Sequence, residues 1–96
     1  MEFIRNEDKI FAYENNVELG FIWRTIKDDI ITVVQTLVHE NARGKGVAKL
    51  LNQEFFKDLN EKSIKGTEIK IWCSYSLKYF ESNEKLFPNL ILMKED

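Results

Sequence analysis

The chain changes from strand to helix periodicity across one stretch, Glu40-Asn41-Ala42-Arg43-Gly44-Lys45-Gly46-Val47-Ala48-Lys49-Leu50-Leu51. Upstream of it, Ile30 to Val38 is apolar on both faces, as a central strand should be. Downstream of it, apolar residues recur at helical spacing, at Val47, Leu51, Phe55 and Leu59. The stretch is therefore predicted to contain a loop that leads from a central strand into an amphipathic helix.

This loop has the composition of an anion-binding site. The first backbone N–H groups of a helix have no partner within the helix and lie at the positive end of its macrodipole. Gly44 and Gly46 lack the Cβ atoms that would keep an anion away, and Arg43, Lys45 and Lys49 add positive charge. The loop is predicted to be a phosphate-binding cradle. The alternative is a solvated basic turn that caps the helix.

Two well-known phosphate loops do not fit the sequence. A nucleotide P-loop has a longer glycine spacing and a Lys-Ser/Thr pair, and both are missing here. A dinucleotide-binding loop has the pattern Gly-x-Gly-x-x-Gly, but Lys49 occupies the third glycine position.

The segments before the loop are predicted to be strands and tight turns. Ile10 to Tyr13, Val17 to Ile26 and Ile30 to Val38 are rich in apolar, β-branched and aromatic residues. Asn15-Asn16 and Asp28-Asp29 separate them and suit tight turns. An antiparallel meander is therefore expected.

The segments after the helix are predicted to be a strand from Glu68 to Cys73, a helix from Ser76 to Asn83 and a strand from Asn89 to Met93. The predicted order is β-β-β-β-α-β-α-β, an α+β (mixed α/β) fold in one domain over residues 1–96. The strands ending at Val38 and Cys73 flank a helix, so they should be parallel with a right-handed crossover.

Composition indicates a cytoplasmic protein. The formal net charge is -2 and the pI is about 5.5, which disfavours nucleic acid and anionic membranes as partners. Cys73 is the single cysteine, so no internal disulfide can form. No signal peptide, membrane span or metal-ligand cluster is evident.

Three motifs resemble those of a known family. Arg43-x-x-Gly46-x-Ala48 matches the Q/R-x-x-G-x-G/A pattern of the GNAT superfamily of N-acetyltransferases. Thr36-x-Val38 and Cys73-Ser74-Tyr75 look like those of the small stand-alone GNAT-like proteins. The sequence departs from those proteins at two places: Val34-Gln35 replace an Asp-His pair, and Asn83-Glu84 replace a His-Pro pair.

The resemblance implies a GNAT-like fold in which two parallel strands splay apart around acetyl-coenzyme A, the co-substrate. Its pantetheine arm would pair with the strand end at Leu37, Val38 and His39. Its pyrophosphate would bind N–H groups of the loop, contributed by Arg43, Gly44, Lys45, Gly46, Val47 and Ala48. The acetyl thioester would lie near Cys73.

The catalytic candidates are Cys73 and Tyr79. Tyr79 or Tyr75 would protonate the leaving thiolate, although the family spacing places Phe80 at the usual tyrosine position. Direct attack by the amine is the usual GNAT route, but Cys73 is a candidate to accept the acetyl group first. Its alternative role is core packing. His39 is a candidate base or a solvated side chain.

The function expected from this resemblance is acetyl transfer from acetyl-CoA to a small amine or an exposed lysine. Larger GNAT enzymes place helices between their first two strands, and residues 1 to 38 leave no room for them. The acceptor site is therefore expected to be shallow, shared or missing, which makes a non-catalytic CoA-binding regulatory module the alternative. A small-molecule or protein amine is the expected partner, and the chain is expected to be a monomer or weak homodimer.

Overall fold

The computed structural model describes residues 1–94. Its first four elements are antiparallel strands. They are β1 (Glu2–Arg5), β2 (Lys9–Glu14), β3 (Val17–Lys27) and β4 (Ile30–Val38), and each pairs with the next. Both residues of the Asn15-Asn16 and Asp28-Asp29 turns have positive φ, between 52° and 65°. These are the angles of two-residue hairpin turns, so the predicted meander is confirmed.

The rest of the chain alternates helices and parallel strands. A 3₁₀ turn (Glu40–Ala42) is followed by α1 (Val47–Lys62), β5 (Thr67–Ile71), α2 (Ser74–Ser82), a second 3₁₀ turn (Glu84–Leu86) and β6 (Leu90–Leu92). β5 pairs parallel with β4, and β6 pairs parallel with β5. The sheet order β1-β2-β3-β4-β5-β6 gives the mixed architecture that the sequence predicts.

The core lies between the sheet and the two helices. Ile22, Val33 and Ile69 contribute fully buried side chains from three strands. Phe56 of α1 is also fully buried, and its ring lies 5.3 Å from that of Phe80 of α2. Both helices therefore pack on one face of the sheet. No helix within residues 1–94 is long and apolar enough to cross a membrane.

The junction between β5 and α2 differs from the prediction. β5 ends at Ile71, because the N–H groups of Trp72 and Cys73 both turn to the carbonyl of Val33, at 2.8 and 3.2 Å. Cys73 is therefore not a strand residue but the N-cap of α2, and its sulfur accepts a hydrogen bond from the N–H of Ser76. A hydrogen-bonded cap starts the helix at Ser74 rather than at Ser76.

A gap opens between β4 and β5. The two strands pair only from Ile31 to Val33 on β4. Val34 falls out of register with β3, which is a β-bulge of the kind that bends a strand. Within the described residues, no strand pairs with the β5 side of β4 from there to Val38. The expected splaying of the parallel strands is confirmed, and the gap leads to the loop before α1.

Candidate functional site

The start of α1 presents unpaired backbone donors. The helix begins at Val47 with Gly46 as N-cap, and no side chain caps it. The first helical hydrogen bond runs from Leu50 N to Gly46 O at 3.1 Å. Among the described residues, nothing accepts a hydrogen bond from the N–H groups of residues 44–49. Such groups can bind an oxyanion without displacing a protein partner.

One predicted donor is engaged elsewhere. The N–H of Arg43 donates to the carbonyl of Glu40 at 3.3 Å, because Arg43 closes the 3₁₀ turn. This N–H is therefore engaged within the protein, whereas the guanidinium of Arg43 has no ion-pair partner among residues 1–94. The backbone donors of the cradle begin at Gly44.

The two glycines are required by backbone conformation. Gly44 and Gly46 have φ of 85° and 74°, in the left-handed region that other residues rarely adopt. A Cβ at either position would have no neighbour within 4 Å. The protein therefore leaves the space above both residues open, and a bound phosphate has room to approach the backbone.

A shallow cavity of about 300 Å³ lies over this backbone. Its wall includes Val38 at the end of β4 and Tyr75 of α2, in addition to loop residues. Arg43 and Lys49 line it, and Lys45 lies between the two loop glycines. Within residues 1–94 none of these three cations forms an ion pair. The cavity therefore combines unpaired N–H donors with positive charges that no carboxylate neutralises.

The base of the loop is tied to β3. His39 Nε2 lies 2.5 Å from Glu18 Oε2, and His39 N donates to the carbonyl of Leu19 at 2.9 Å. Ala42 N closes the 3₁₀ turn on His39 O, and the Ala42 side chain is buried. These contacts hold the strand end and the loop together. His39 is thus a hydrogen-bond partner of Glu18, and its side chain is partly exposed.

The predicted pantetheine-binding residues lie at the end of β4. Leu37 and Val38 pair with Phe21 and Gly20 of β3, and their other edge faces the gap. Of these residues and His39, Val38 lines the cavity above the loop. The structure therefore places the strand end, the gap and the cradle in a continuous path.

Cys73 lies beside this gap with polar neighbours. Its sulfur is 3.5 Å from Ser76 N and 3.6 Å from Thr36 Oγ1. Burial raises the pKa of the Cys73 thiol, but hydrogen bonds with Ser76 and Thr36 outweigh this effect and lower the pKa below its ordinary value. Cys73 also packs against the core, so the packing role and a chemically perturbed thiol coexist.

Two residues of this environment, Asn52 and Ser76, were not predicted as site residues from the sequence. Both side chains are fully buried and bond to each other, Ser76 Oγ donating to Asn52 Oδ1 at 2.6 Å. The sequence contains one indication of this network: Asn52 is a polar residue between Leu51 and Phe55 on the apolar face of α1. Nothing in the sequence indicates that Ser76 is its partner.

The two candidate tyrosines line different cavities. Tyr75 is 44% exposed and lines the cavity above the loop. Tyr79 stacks on Phe56, with ring centroids 6.0 Å apart, and lines a neighbouring cavity of about 430 Å³. Lys49 lines both cavities. Burial and then the proximity of Tyr75 raise the pKa of Tyr79, which keeps its hydroxyl protonated.

Comparisons with known proteins agree with this geometry. Residues 9–89 match the family model of the GCN5-related N-acetyl-transferases. The NMR structure of a GCN5-like protein from Staphylococcus aureus superposes with a TM-score of 0.68 at 21% identity, covering 98% of this chain and 91% of that one. No curated protein gave a significant sequence match.

A second solved structure also shares the fold. The ribosomal-protein-S18-alanine N-acetyltransferase from Escherichia coli superposes with a TM-score of 0.59 at 14% identity. The match covers 81% of this chain and 53% of that enzyme, so the chain spans about half its length. At these identities both structures establish the fold alone.

Proposed function

The chain belongs to the family of GCN5-related N-acetyltransferases, and from that premise we propose that it transfers an acetyl group from acetyl-CoA to an amine. The acceptor is a small amine or an exposed lysine. One observation carries the proposal: the N–H groups from Gly44 to Lys49 have no acceptor within the described residues, and they belong to a loop that lines an open cavity and carries three cations without carboxylate partners.

The residues of the loop suit a pyrophosphate. The N–H groups of residues 44–48 would donate to its oxygens, and the positive end of α1 favours its charge. The side chains of Arg43, Lys45 and Lys49 would add charge-assisted contacts. The edge of Leu37 and Val38 in β4, with His39 directly after it, would pair with the amides of the pantetheine arm, because no strand pairs there within the described residues.

We place the acetyl thioester beside Cys73, where the gap ends. The Cys73 thiolate attacks the thioester carbonyl carbon, an S–C bond forms, and the bond from that carbon to the coenzyme A sulfur breaks. The departing thiolate takes a proton from Tyr79, whose raised pKa keeps the hydroxyl protonated. Tyr75 is the alternative donor, since it lines the cavity above the loop.

A neutral amine completes the transfer. Its nitrogen attacks the carbonyl carbon of acetylated Cys73, an N–C bond forms, and the Cys73 thiolate leaves. The extra proton on nitrogen passes to the tyrosinate, which restores the resting enzyme. If the amine instead attacks the thioester directly, Cys73 is never acetylated, and the two routes are therefore distinguishable.

Mass spectrometry after incubation with acetyl-CoA tests the proposal. We expect an acetyl group on the peptide that contains Cys73, transferred to an added amine over time. A Cys73→Ala variant that retains full transfer would contradict the covalent route alone. A Gly46→Glu variant is the binding control, because it places a carboxylate in the cradle and should abolish labelling.

One observation favours a second candidate, a non-catalytic module that binds coenzyme A and regulates a partner. β1 to β4 are joined by short turns, and no helix precedes residue 40 in the described part of the chain. An acceptor pocket therefore has little wall on that side. Binding of acetyl-CoA with neither label on Cys73 nor transfer to an amine would support this candidate.

A further inference from the structure

Three polar side chains from three elements meet beside the gap. They are Thr36 of β4, Asn52 of α1 and Ser76 of α2. Asn52 and Ser76 are fully buried in an otherwise largely apolar core. Burying polar groups is unfavourable unless each finds a partner, and every one of them does here. This polar network of Thr36, Asn52 and Ser76 therefore has a defined pattern of donors and acceptors.

The Asn52 amide fixes the direction of the network. The carbonyl of Ala48 can only accept, so the Asn52 nitrogen must face it, at 2.8 Å. The same nitrogen donates to Thr36 Oγ1 at 3.2 Å. Asn52 Oδ1 can only accept, and Ser76 Oγ donates to it at 2.6 Å. The single hydroxyl hydrogen of Ser76 is thereby committed to Asn52.

The hydroxyl hydrogen of Thr36 is not donated to Asn52, because the Asn52 nitrogen is itself the donor in that contact. Its hydroxyl oxygen receives the Asn52 amide, so its own hydrogen has two acceptors within reach, Ser76 Oγ at 3.1 Å and Cys73 Sγ at 3.6 Å. While Cys73 is a thiol, its S–H donates to Thr36 Oγ1 and the Thr36 hydrogen turns to Ser76. Once the sulfur is ionised, the negative sulfur becomes the stronger acceptor.

We propose that Thr36 is a positioning residue that acts through Cys73, turning its hydroxyl hydrogen to the sulfur and so favouring the thiolate. Asn52 donates to Thr36 and accepts from Ser76, and these two hydrogen bonds leave the Thr36 hydrogen available to the sulfur. The inference rests on the proposed function, in which the Cys73 thiolate accepts the acetyl group. A second donor, Ser76 N–H at the start of α2, completes the environment of the sulfur.

Two hydrogen-bonding partners act on the Cys73 thiol. Burial raises its pKa, the hydrogen bonds with Ser76 lower it, and those with Thr36 lower it further. Among the side chains that contact the sulfur, Thr36 is the one whose hydroxyl hydrogen is not already donated to Asn52. Removing the Thr36 hydroxyl should therefore change how readily the thiol ionises, whereas a merely structural role would change only the stability of the fold.

Alkylation kinetics test this without acetyl-CoA. Cys73 is the only cysteine, so the rate of reaction with iodoacetamide as a function of pH reports on this thiol alone. For Thr36→Val we expect the inflection of the rate profile to move to higher pH. The rate near neutral pH should fall roughly tenfold, the effect of losing a hydrogen bond to a charged group.

Matched variants separate this effect from general damage. Thr36→Ser keeps the hydroxyl and should restore the wild-type profile. Thr32→Val removes another buried threonine of β4, one outside the network, and should leave the profile unchanged. If Thr36→Val does not fold by thermal melting, Thr36→Ala takes its place.

The outcomes are distinct from those of the proposed function. An unchanged profile in the folded Thr36→Val or Thr36→Ala variant would overturn the inference, even if acetyl-CoA labels Cys73. A profile moved to higher pH supports it, even if acetyl-CoA proves not to bind, in which case only the proposed function fails.

Discussion

Gly46 is needed for the fold and is proposed to contribute to binding. Its φ of 74° allows the chain to leave the 3₁₀ turn and enter α1, and its missing Cβ leaves the cradle open. Sequence patterns indicate the glycine and the helix start, because both follow from local spacing. They do not reveal that the N–H of Arg43 is engaged with Glu40, which depends on the turn actually formed.

Replacing Gly46 should weaken acetyl-CoA binding more than replacing a glycine of similar conformation elsewhere. Gly46→Ala is expected to lower the free energy of unfolding by about 1 kcal/mol, because alanine is strained at this φ. It should also weaken acetyl-CoA binding roughly tenfold, about 1.4 kcal/mol, by crowding the phosphate. Gly66→Ala is the control, since Gly66 has φ of 92° outside the loop. Urea unfolding and calorimetry measure both effects, and equal affinities in the two variants would contradict the account.

The Cys73 thiol should make stability depend on pH. Its pKa in the folded chain is lower than the ordinary value of 9.0 expected when unfolded. Between these values the unfolded state binds more protons, so stability rises with pH and is lost as pH falls through the folded pKa. Urea unfolding should show that the free energy of unfolding of wild type, relative to that of Cys73→Ala, increases from about pH 6 to about pH 9. A difference independent of pH would show that the thiol is not perturbed.

The hydroxyl of Tyr79 should matter to the chemical step. If it protonates the departing thiolate, Tyr79→Phe lowers kcat for acetyl transfer roughly a hundredfold. The phenyl ring still stacks on Phe56, so the fold is retained. Tyr75→Phe is the matched comparison on the same helix. A loss in Tyr75→Phe with none in Tyr79→Phe would transfer the role to Tyr75.

At the scale of elements, β4 organises the site. It pairs with β3 along most of its length, loses β5 after Val33 and ends at the loop. The order of elements was predictable because period-2 and helical patterns are local. The end of β5 was not predictable, because the N–H groups of Trp72 and Cys73 both donate to the Val33 carbonyl, which ends the strand pairing. The polar network of Thr36, Asn52 and Ser76 was also out of reach, since it joins residues distant in sequence.

Close approach of β3 to β4 makes Gly20 the most sensitive position of this pairing. A Cβ at Gly20 would clash with the Leu37 carbonyl oxygen, a backbone atom that cannot move aside alone. Gly20→Ala should therefore lower the free energy of unfolding by about 3 kcal/mol. Gly44→Ala, whose Cβ meets nothing, should cost only about 1 kcal/mol of φ strain. Urea unfolding measures both, and equal losses would mean that the strands do not approach as described.

At the scale of the whole molecule, the residues of the candidate site come from the end of β4, the loop before α1, and α2 with its N-cap. The helices cover one face of the sheet, and the short turns between the first strands add no helix before residue 40 in the described part of the chain. The formal net charge of -2 does not predict an anion site, whereas the local cluster of Arg43, Lys45 and Lys49 does. The proposed coenzyme site is therefore better defined than the proposed acceptor site.

The central claim is that unpaired amides at the start of α1 bind the pyrophosphate of acetyl-CoA. Amide chemical shifts of the ¹⁵N-labelled protein, followed during titration with acetyl-CoA, test it most directly. We expect the largest, saturable changes at Gly44 to Ala48, smaller ones along the end of β4, and none at Gly66. Saturable binding that leaves Gly44 to Ala48 unperturbed, or no binding at all, would contradict the account.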